Sequence, residues 1–213
     1  TDLQRLGMAY GVNVIPEIDV PAHSLAFTHY KPEIGSREYG MDHLDLYSPE
    51  TYRFLDTLFH EYLGGEQPVF IGPDVHIGTD EYNKKEAERY RYFTDRYLKL
   101  IARYGKHPRM WGGLKWLPGK TPVMAKGVTV NAWSYDWVDP VASLEAGYRL
   151  INTCDTYLYI VPGAGYYRDF LDARWIYDEW SPWLINRKQT LPEGTEGVLG
   201  GMFAVWNDLC GNG

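Results

Sequence analysis

Apolar residues recur at helix and strand spacings along the chain and predict alternating helices and strands. Residues 1–10 carry apolar side chains at helical spacing before a glycine. A second helix is predicted to begin at Ser48-Pro49, with Ser48 as its cap, and to end before two consecutive glycines. The clearest pattern covers residues 84–104, where aromatic and aliphatic residues repeat every three or four positions.

Short apolar runs predict about six strands between these helices. They cover residues 12–19, 75–78, 109–112, 128–132, 149–153 and 200–206. The segment between the first two runs is polar and aromatic without a clear period, and we interpret it as loop. Strands that alternate with helix or turn signals predict a parallel sheet with crossover connections.

The strand count and the start of the sequence define the expected fold class. A closed (β/α)8 barrel needs eight strands, and this chain begins within a helix. We therefore expect an α/β fold that is an incomplete (β/α)8 TIM-type barrel without its N-terminal β/α units. We expect it to form one partial barrel domain over residues 1–213. A complete small open-sheet protein is the alternative.

Composition narrows the class of partner. The chain has 213 residues, 45% of them hydrophobic, and a net charge of -7 without a basic cluster, so nucleic acid is a poor partner. No apolar run approaches the ~20 residues that span a bilayer. The chain contains 8 Trp, 18 Tyr and 7 Phe, and such flat rings suit the faces of sugars. Cys154 and Cys210 follow predicted strands, and either buried thiols or a disulfide fit them.

An acidic pair is the strongest candidate for chemistry. The string VHIGTDEY at residues 75–82 places Asp80 and Glu81 at the end of a predicted buried strand. Of two neighbouring carboxyl groups, one can stay protonated as a proton donor while the other stays charged. Helix capping is the plain alternative, because acids favour the first turn of a helix. A strand, an acidic pair and then a helix is the layout of a barrel active site.

Six short motifs in order suggest a family. They are PEIDVPAHS at residues 16–24, HIGTDEY at 76–82, MWGG at 110–113, NAWSYDW at 131–137, YLY at 157–159 and FAVWND at 203–208. Together they resemble the motifs of glycoside hydrolase family 20, which includes β-N-acetylhexosaminidases and lacto-N-biosidases. The resemblance covers nearly the whole chain, and the acidic pair and the Pro-x-His turn are its most specific parts.

The resemblance implies a retaining hydrolase that removes terminal β-linked N-acetylhexosamine from glycans. In this mechanism the 2-acetamido oxygen of the substrate attacks the anomeric carbon, so no carboxylate nucleophile is needed. The resemblance implies that Glu81 is the general acid and base and that Asp80 orients the acetamido nitrogen and stabilises the oxazolinium. It also implies that His23 hydrogen-bonds near Glu81 and adjusts the acidity of that residue. No cofactor and no metal are implied. An isolated fragment can be inactive, because its barrel cannot close.

The resemblance also implies substrate-binding residues, a substrate and a location. Trp111, Trp133 and Trp206 match the tryptophans that enclose the acetamido group, Tyr157 matches the tyrosine that hydrogen-bonds it, and Asp208 replaces a family glutamate. Core packing is the alternative for each tryptophan. The partner is a glycan that contains N-acetylhexosamine. The location is extracytoplasmic, namely secreted, periplasmic, cell-surface or lysosome-like, and the oligomeric state is open.

Departures from the family pattern leave specificity open. Tyr159 stands where the family has Asp, Gly112 stands where it often has an acid, and Ala22 replaces a glycine in the Pro-x-His turn. The first two positions commonly grip outer hydroxyls of the terminal sugar. Their loss leaves room for lacto-N-biosidase-like release of a disaccharide.

Two other functions fit the same residues. A metal-dependent hydrolase would use His23, His76 and Asp80 as ligands, although no metal-binding spacing accompanies them. A non-catalytic carbohydrate-binding protein would use the aromatic walls without turnover, and the intact acidic pair argues against it.

Overall fold

The computed structural model describes residues 1–187 and 189–208. The chain forms two compact units, Thr1–Val128 and Thr129–Gly213. The expectation of one domain over residues 1–213 stays a prediction. Cys210 lies outside the described residues, and Cys154 is buried as expected.

The helices of the first unit follow the predicted pattern closely. They are α1 (Asp2–Ala9), α2 (Leu25–Tyr30), α3 (Pro49–Leu63) and α4 (Ala87–Arg103), with 3-10 turns at Pro32–Ile34 and Lys84–Glu86. Helix α4 confirms the clearest pattern, and it buries Tyr90, Phe93, Tyr97 and Ile101 completely. The expected cap at Ser48 is wrong in part, because Ser48 precedes α3 but its side chain accepts no capping hydrogen bond.

The strands of the first unit place one strand at the centre of a parallel sheet. They are β1 (Glu17–Val20), β2 (Gly35–Ser36), β3 (Gly40–Leu44), β4 (Asp74–Gly78) and β5 (His107–Trp111). Strand β4 pairs in parallel with β1 on one side and β5 on the other. Every residue of β4 is buried, including the polar residues Asp74 and His76. Strands β2 and β3 form a separate antiparallel hairpin.

Two predictions for the first unit are wrong. The strand predicted over residues 12–19 begins only at Glu17, where pairing with β4 begins, and Val12 is 55% exposed. The predicted loop after it contains α2 and the β2–β3 hairpin. Helix α2 has six residues, too few to display a helical period.

The second unit has a parallel sheet with short additions. Its helices are α5 (Pro140–Glu145), α6 (Asp155–Leu158) and α7 (Ala173–Glu179), and its strands are β6 (Thr129–Ala132), β7 (Arg149–Asn152), β8 (Tyr159–Ile160), β9 (Leu184–Asn186), β10 (Gln189–Thr190), β11 (Val198–Gly201) and β12 (Ala204–Val205). Strand β7 pairs in parallel with β6 and β11. The strand predicted over residues 200–206 is two strands, because β11 pairs with β7 and β12 pairs with β8.

Both units have the strand arrangement of an α/β barrel. Each contributes three main parallel strands to a total of six, and helices lie between several of them. This confirms the α/β class and the incomplete (β/α)8 barrel. None of the helices in the described part of the chain has the length and apolar character that crossing a bilayer requires.

Candidate active site

The acidic pair lies in a strained turn at the carboxyl end of β4. Thr79 has φ 75° and Glu81 has φ 52°, so the residues on both sides of Asp80 adopt left-handed backbone. Such values are uncommon for residues with a side chain, above all for β-branched threonine. The turn therefore holds the two carboxyl groups in a backbone conformation that the chain does not adopt freely.

Tyr90 of helix α4 contacts this turn, and Gly113 packs closely against Tyr90. The hydroxyl of the fully buried Tyr90 donates a short hydrogen bond to the carbonyl of Thr79. The Thr79 hydroxyl donates to the carbonyl of Gly78 at 2.5 Å. A Cβ atom on Gly113 would lie 2.5 Å from the Tyr90 hydroxyl, so glycine is needed there.

His23 joins the two acids. Its Nε2 lies 3.0 Å from Glu81 Oε2 and 3.5 Å from Asp80 Oδ2. Like the turn residues, His23 has a positive φ, 51°, which directs its ring from the loop after β1 toward the end of β4. The three predicted catalytic residues therefore converge, although their roles stay predictions.

Asp19 and Glu17 complete the cluster, and the sequence reasoning missed both. One carboxylate oxygen of Asp19, one of Asp80 and a ring nitrogen of His23 all lie within 4.8 Å of one another. Oδ1 of Asp19 and Oδ1 of Asp80 are both buried. The missed signal was the strand period, because Glu17 and Asp19 are two residues apart and so share one face of β1.

Trp111 binds Glu17 at the end of β5. Its Nε1 donates a hydrogen bond to Glu17 Oε1 at 2.7 Å, and its ring lies 5.3 Å from the His76 ring. Trp111 is only 3% exposed, so most of its surface is already packed against protein. The indole thus orients Glu17, and the predicted contact with an acetamido group stays a prediction.

The cluster retains protons to unusually high pH. Hydrogen bonds to Asp80 and Glu81 raise the pKa of His23 to about 11 against the opposing effect of burial. Burial, reinforced by the charges of Asp80 and Glu17, raises the pKa of Asp19 to about 9. Burial also raises the pKa of Glu17 to about 7, against the hydrogen bond from Trp111. Near neutral pH, His23 is therefore a cation and Asp19 is a neutral acid.

The neutral Asp19 affects its neighbour directly. A hydrogen bond between Asp19 and Asp80 contributes to the raised pKa of Asp19. A proton held on Asp19 can be donated to Asp80 in a hydrogen bond. The cluster thus places a neutral acid, Asp19, and a protonated imidazole, His23, beside the carboxyl groups of Asp80 and Glu81.

The possible metal ligands differ from the predicted set. In the described part of the chain, the one group with metal-binding geometry is Asp19, His23 and Asp80. His76 is not in it, since its Nδ1 accepts a hydrogen bond from the backbone of Gly78 at 3.0 Å. Because imidazole must be neutral to bind a metal, the proton on His23 opposes binding there.

The remaining predicted residues lie in the second unit, and each has neighbours in that unit. Trp133 packs on Trp137 with ring centroids 5.4 Å apart, and Tyr157 packs on Trp175 at 4.8 Å. Trp133 and Tyr157 are 6% and 7% exposed.

Trp206 and Asp208 follow β12. The Trp206 ring lies 5.8 Å from Tyr159, the residue that replaces a family acid. The exposed Asp208 accepts a hydrogen bond from Tyr166 at 2.7 Å. Contact of Trp133, Tyr157, Trp206 and Asp208 with substrate stays a prediction.

Comparison with known proteins finds a match to one family. Residues 1–91, which include Glu17, Asp19, His23 and the acidic pair, match the catalytic domain of glycosyl hydrolase family 20. This match covers 91 of the 213 residues, and all of them lie in the first unit. The resemblance inferred from the motifs is thereby confirmed.

Several proteins that are similar to this chain are glycosidases. It is 25% identical to a lacto-N-biosidase of Bifidobacterium bifidum, over 93% of this chain and 20% of that protein. It is 27% identical to a β-hexosaminidase of Akkermansia muciniphila, over 71% of this chain and 36% of that protein. The chain thus spans well under half the length of these relatives.

A solved structure shares the fold. The family 20 β-N-acetylhexosaminidase from Streptomyces coelicolor A3(2) superimposes with a TM-score of 0.74 at 21% identity, over 96% of this chain and 43% of that one. At this identity the likeness shows the fold alone.

Proposed function

We propose that this chain carries the acid–base site of a retaining glycoside hydrolase that removes terminal β-linked N-acetylhexosamine from glycans. The supporting observation is the convergence of His23, Asp80 and Glu81, with His23 Nε2 3.0 Å from Glu81 and 3.5 Å from Asp80. Such a cluster can deliver a proton and stabilise a cation within a few ångströms.

The first step uses the substrate's own acetamido group. Its carbonyl oxygen attacks the anomeric carbon while Glu81 gives a proton to the departing glycosidic oxygen. The bond to the leaving group breaks and an oxazolinium forms. Asp80 accepts a hydrogen bond from the acetamido nitrogen and offsets the positive charge. The neutral Asp19 supports this role, because it can donate a hydrogen bond to Asp80.

The second step restores the enzyme. Glu81 removes a proton from water, which attacks the anomeric carbon and opens the oxazolinium, so two inversions give net retention. His23 bears on both steps because it shares a hydrogen bond with Glu81. The two atoms of this pair, His23 Nε2 and Glu81 Oε2, lie 3.0 Å apart, so the imidazole can donate a hydrogen bond to the Glu81 carboxyl.

The role of Glu81 is tested with leaving groups of different acidity. Glu81→Gln should slow hydrolysis of glycosides with poor leaving groups by ~10²-fold or more, the range of general acid catalysis. Hydrolysis of activated aryl glycosides should fall much less, because a good leaving group needs no proton. Equal losses on both substrates would remove Glu81 from the role of acid.

The role of Asp80 requires a separate test. Asp80→Asn should slow oxazolinium formation and weaken binding of thiazoline mimics of that intermediate, since the offsetting charge is gone. Unchanged kinetics and unchanged mimic affinity would remove Asp80 from the mechanism.

Release of a disaccharide is the second candidate function. It is favoured by Tyr159, which stands in place of a family acid, and by the similarity to a lacto-N-biosidase over 93% of the chain. Parallel assays on aryl N-acetylglucosaminide and aryl lacto-N-bioside separate the two activities. Binding of both glycosides without turnover would favour a non-catalytic carbohydrate-binding protein.

A chelator control addresses metal-dependent hydrolysis. Activity that survives chelation, with no stoichiometric zinc in the protein, would exclude that alternative. Glycans of this class are found mainly outside the cytoplasm, which supports the proposal of an extracytoplasmic location.

A further inference from the structure

A cavity lies beside the acidic turn, formed largely by residues 32–47 after β1. Its volume is about 880 Å³, within the range of cavities that hold small ligands. Tyr82 and Glu86, which follow the acidic pair in the chain, also line it. The cavity therefore lies between the segments that follow β1 and β4, at the face of the barrel where active sites are built.

The cavity is coupled to the acidic turn by direct contacts. Nε2 of His43 lies 3.4 Å from the carbonyl oxygen of Glu81, and the His43 ring lies 5.3 Å from the ring of Tyr82. The Tyr82 hydroxyl donates to the carbonyl of Leu44 at 2.6 Å. Tyr82 thus links the cavity that it lines to the turn that contains Glu81.

The aromatic wall of the cavity is held in place before any ligand binds. Tyr39 and Tyr47 donate hydrogen bonds to the two carboxylate oxygens of Glu86, at 2.9 and 2.7 Å respectively. The Arg89 guanidinium lies 4.4 Å from the ring centroid of Tyr47. Fixed rings with hydrogen-bonding edges suit sugar units, which combine apolar faces with hydroxyl groups.

The charge of the cavity restricts the kind of sugar. Its lining includes four carboxylates but one guanidinium, that of Arg37. Arg37 is exposed and forms no ion pair with any residue in the described part of the chain, so its donors can reach sugar hydroxyls. The excess negative charge opposes uronic or sialic acids, because burying like charges together is unfavourable.

We propose that this cavity binds uncharged sugar units on the aglycone side of the bond that Glu81 cleaves. The assignment to the aglycone side rests on the proposed function. The binding of uncharged oligosaccharide can be tested without turnover. The cavity would make the chain select extended neutral glycans over short or acidic ones.

Binding is tested by NMR titration of the protein with N,N′,N″-triacetylchitotriose. We expect shift changes at the backbone amides of Arg37, Tyr39 and Tyr47, and about five- to tenfold weaker binding in Tyr47→Ala. Tyr10→Ala is the matched control, because Tyr10 is 79% exposed, Tyr47 is 58% exposed, and Tyr10 lies outside the cavity. A hyaluronan tetrasaccharide, which carries uronic acids, should bind at least tenfold more weakly than the trisaccharide.

The outcomes separate this inference from the proposed function. Shifts that occur only elsewhere, equal loss of affinity in both tyrosine variants, or tighter binding of hyaluronan would overturn the inference. Shifts at the cavity without hydrolysis of any N-acetylhexosaminide would leave the binding site intact and refute the proposed activity. Where hydrolysis occurs, kcat/KM of Tyr47→Ala should fall at least fivefold more on the trisaccharide than on an aryl glycoside, and equal falls would refute the aglycone assignment.

Discussion

Replacing Gly78 by alanine should lower the stability of the protein more than the same substitution at a glycine with open space around it. Gly78 ends β4 with φ 69°, and its Cα faces Asp19 on β1. An added methyl group would overlap the Asp19 carboxyl and lie 2.6 Å from Asp19 Cα. The backbone cannot move away easily, because Val20 and Gly78 are register partners between the two strands.

The size of the effect follows from two separate costs. Left-handed backbone costs a residue with a side chain about 1–2 kcal/mol, and overpacking adds about 1–3 kcal/mol. At roughly 2–4 °C per kcal/mol for a chain of this size, Gly78→Ala should lower Tm by about 4–20 °C. Gly105→Ala is the matched control: Gly105 has φ 73°, but an added Cβ would have no atom within 4 Å. It should lower Tm by only about 2–8 °C, from the backbone cost alone.

Thermal unfolding followed by circular dichroism measures both variants under one condition. Equal Tm shifts for Gly78→Ala and Gly105→Ala would show that the close approach to Asp19 has no energetic effect. Combining Gly78→Ala with Asp19→Ala should recover only part of the loss, because the contact with Asp19 Cα remains.

Three further predictions concern groups around the acidic pair. The pKa of His23 is raised from 6.5 to about 11, so protonated His23 stabilises the folded protein fully below pH 6.5 and progressively less as the pH rises toward 11. The Tm difference between wild type and His23→Gln should therefore narrow from pH 6 to pH 10. A constant difference would contradict this. Asp19→Asn should retain more activity at pH 7 than Asp19→Ala, because an amide can donate to Asp80 as the protonated acid does; equal loss in both would mean that Asp19 acts as an anion. Tyr90→Phe should lower the stability by about 1–3 kcal/mol and should also lower kcat, because the Thr79 carbonyl loses its hydrogen-bond donor. The control is Tyr97→Phe, on the same buried face of α4, which should lower stability alone. Equal losses of kcat in the two variants would refute a positioning role for Tyr90.

Local sequence signals predicted the elements that carry the acidic pair. Strand β4 was visible because its two β-branched residues, Val75 and Ile77, alternate along a short segment that ends at a glycine. Helix α4 was visible because its buried residues repeat at helical spacing over 17 residues.

Tertiary pairing decided the elements that the sequence did not reveal. Residues 12–16 have strand propensity, but β1 begins only where β4 is available as a partner. The hairpin of β2 and β3 has two and five residues, so its pairing leaves little pattern in the sequence. Glu17 and Asp19 were not predicted because they are not adjacent in the sequence. Acids two residues apart lie on the same face of a strand, so they can come together in one site as adjacent acids do.

Backbone strain and proton retention coincide in this chain. In the described part of it, the non-glycine residues with positive φ are His23, Thr79 and Glu81, and all three belong to or flank the acidic cluster. Each such conformation costs about 1–3 kcal/mol and persists only where surrounding contacts over-determine it. Those contacts are the His23 bridge, the Tyr90 hydrogen bond and the close packing at Gly78.

The strain has a chemical consequence. Relaxing the turn would let Asp80 and Glu81 separate from His23, and the pKa of His23 would then fall toward its usual value. The turn instead holds one cation and one neutral acid against two carboxyl groups near neutral pH. This arrangement lowers the folding stability and holds protons beside carboxyl groups, as a site of proton transfer requires. It therefore favours catalysis over simple sugar binding at this site.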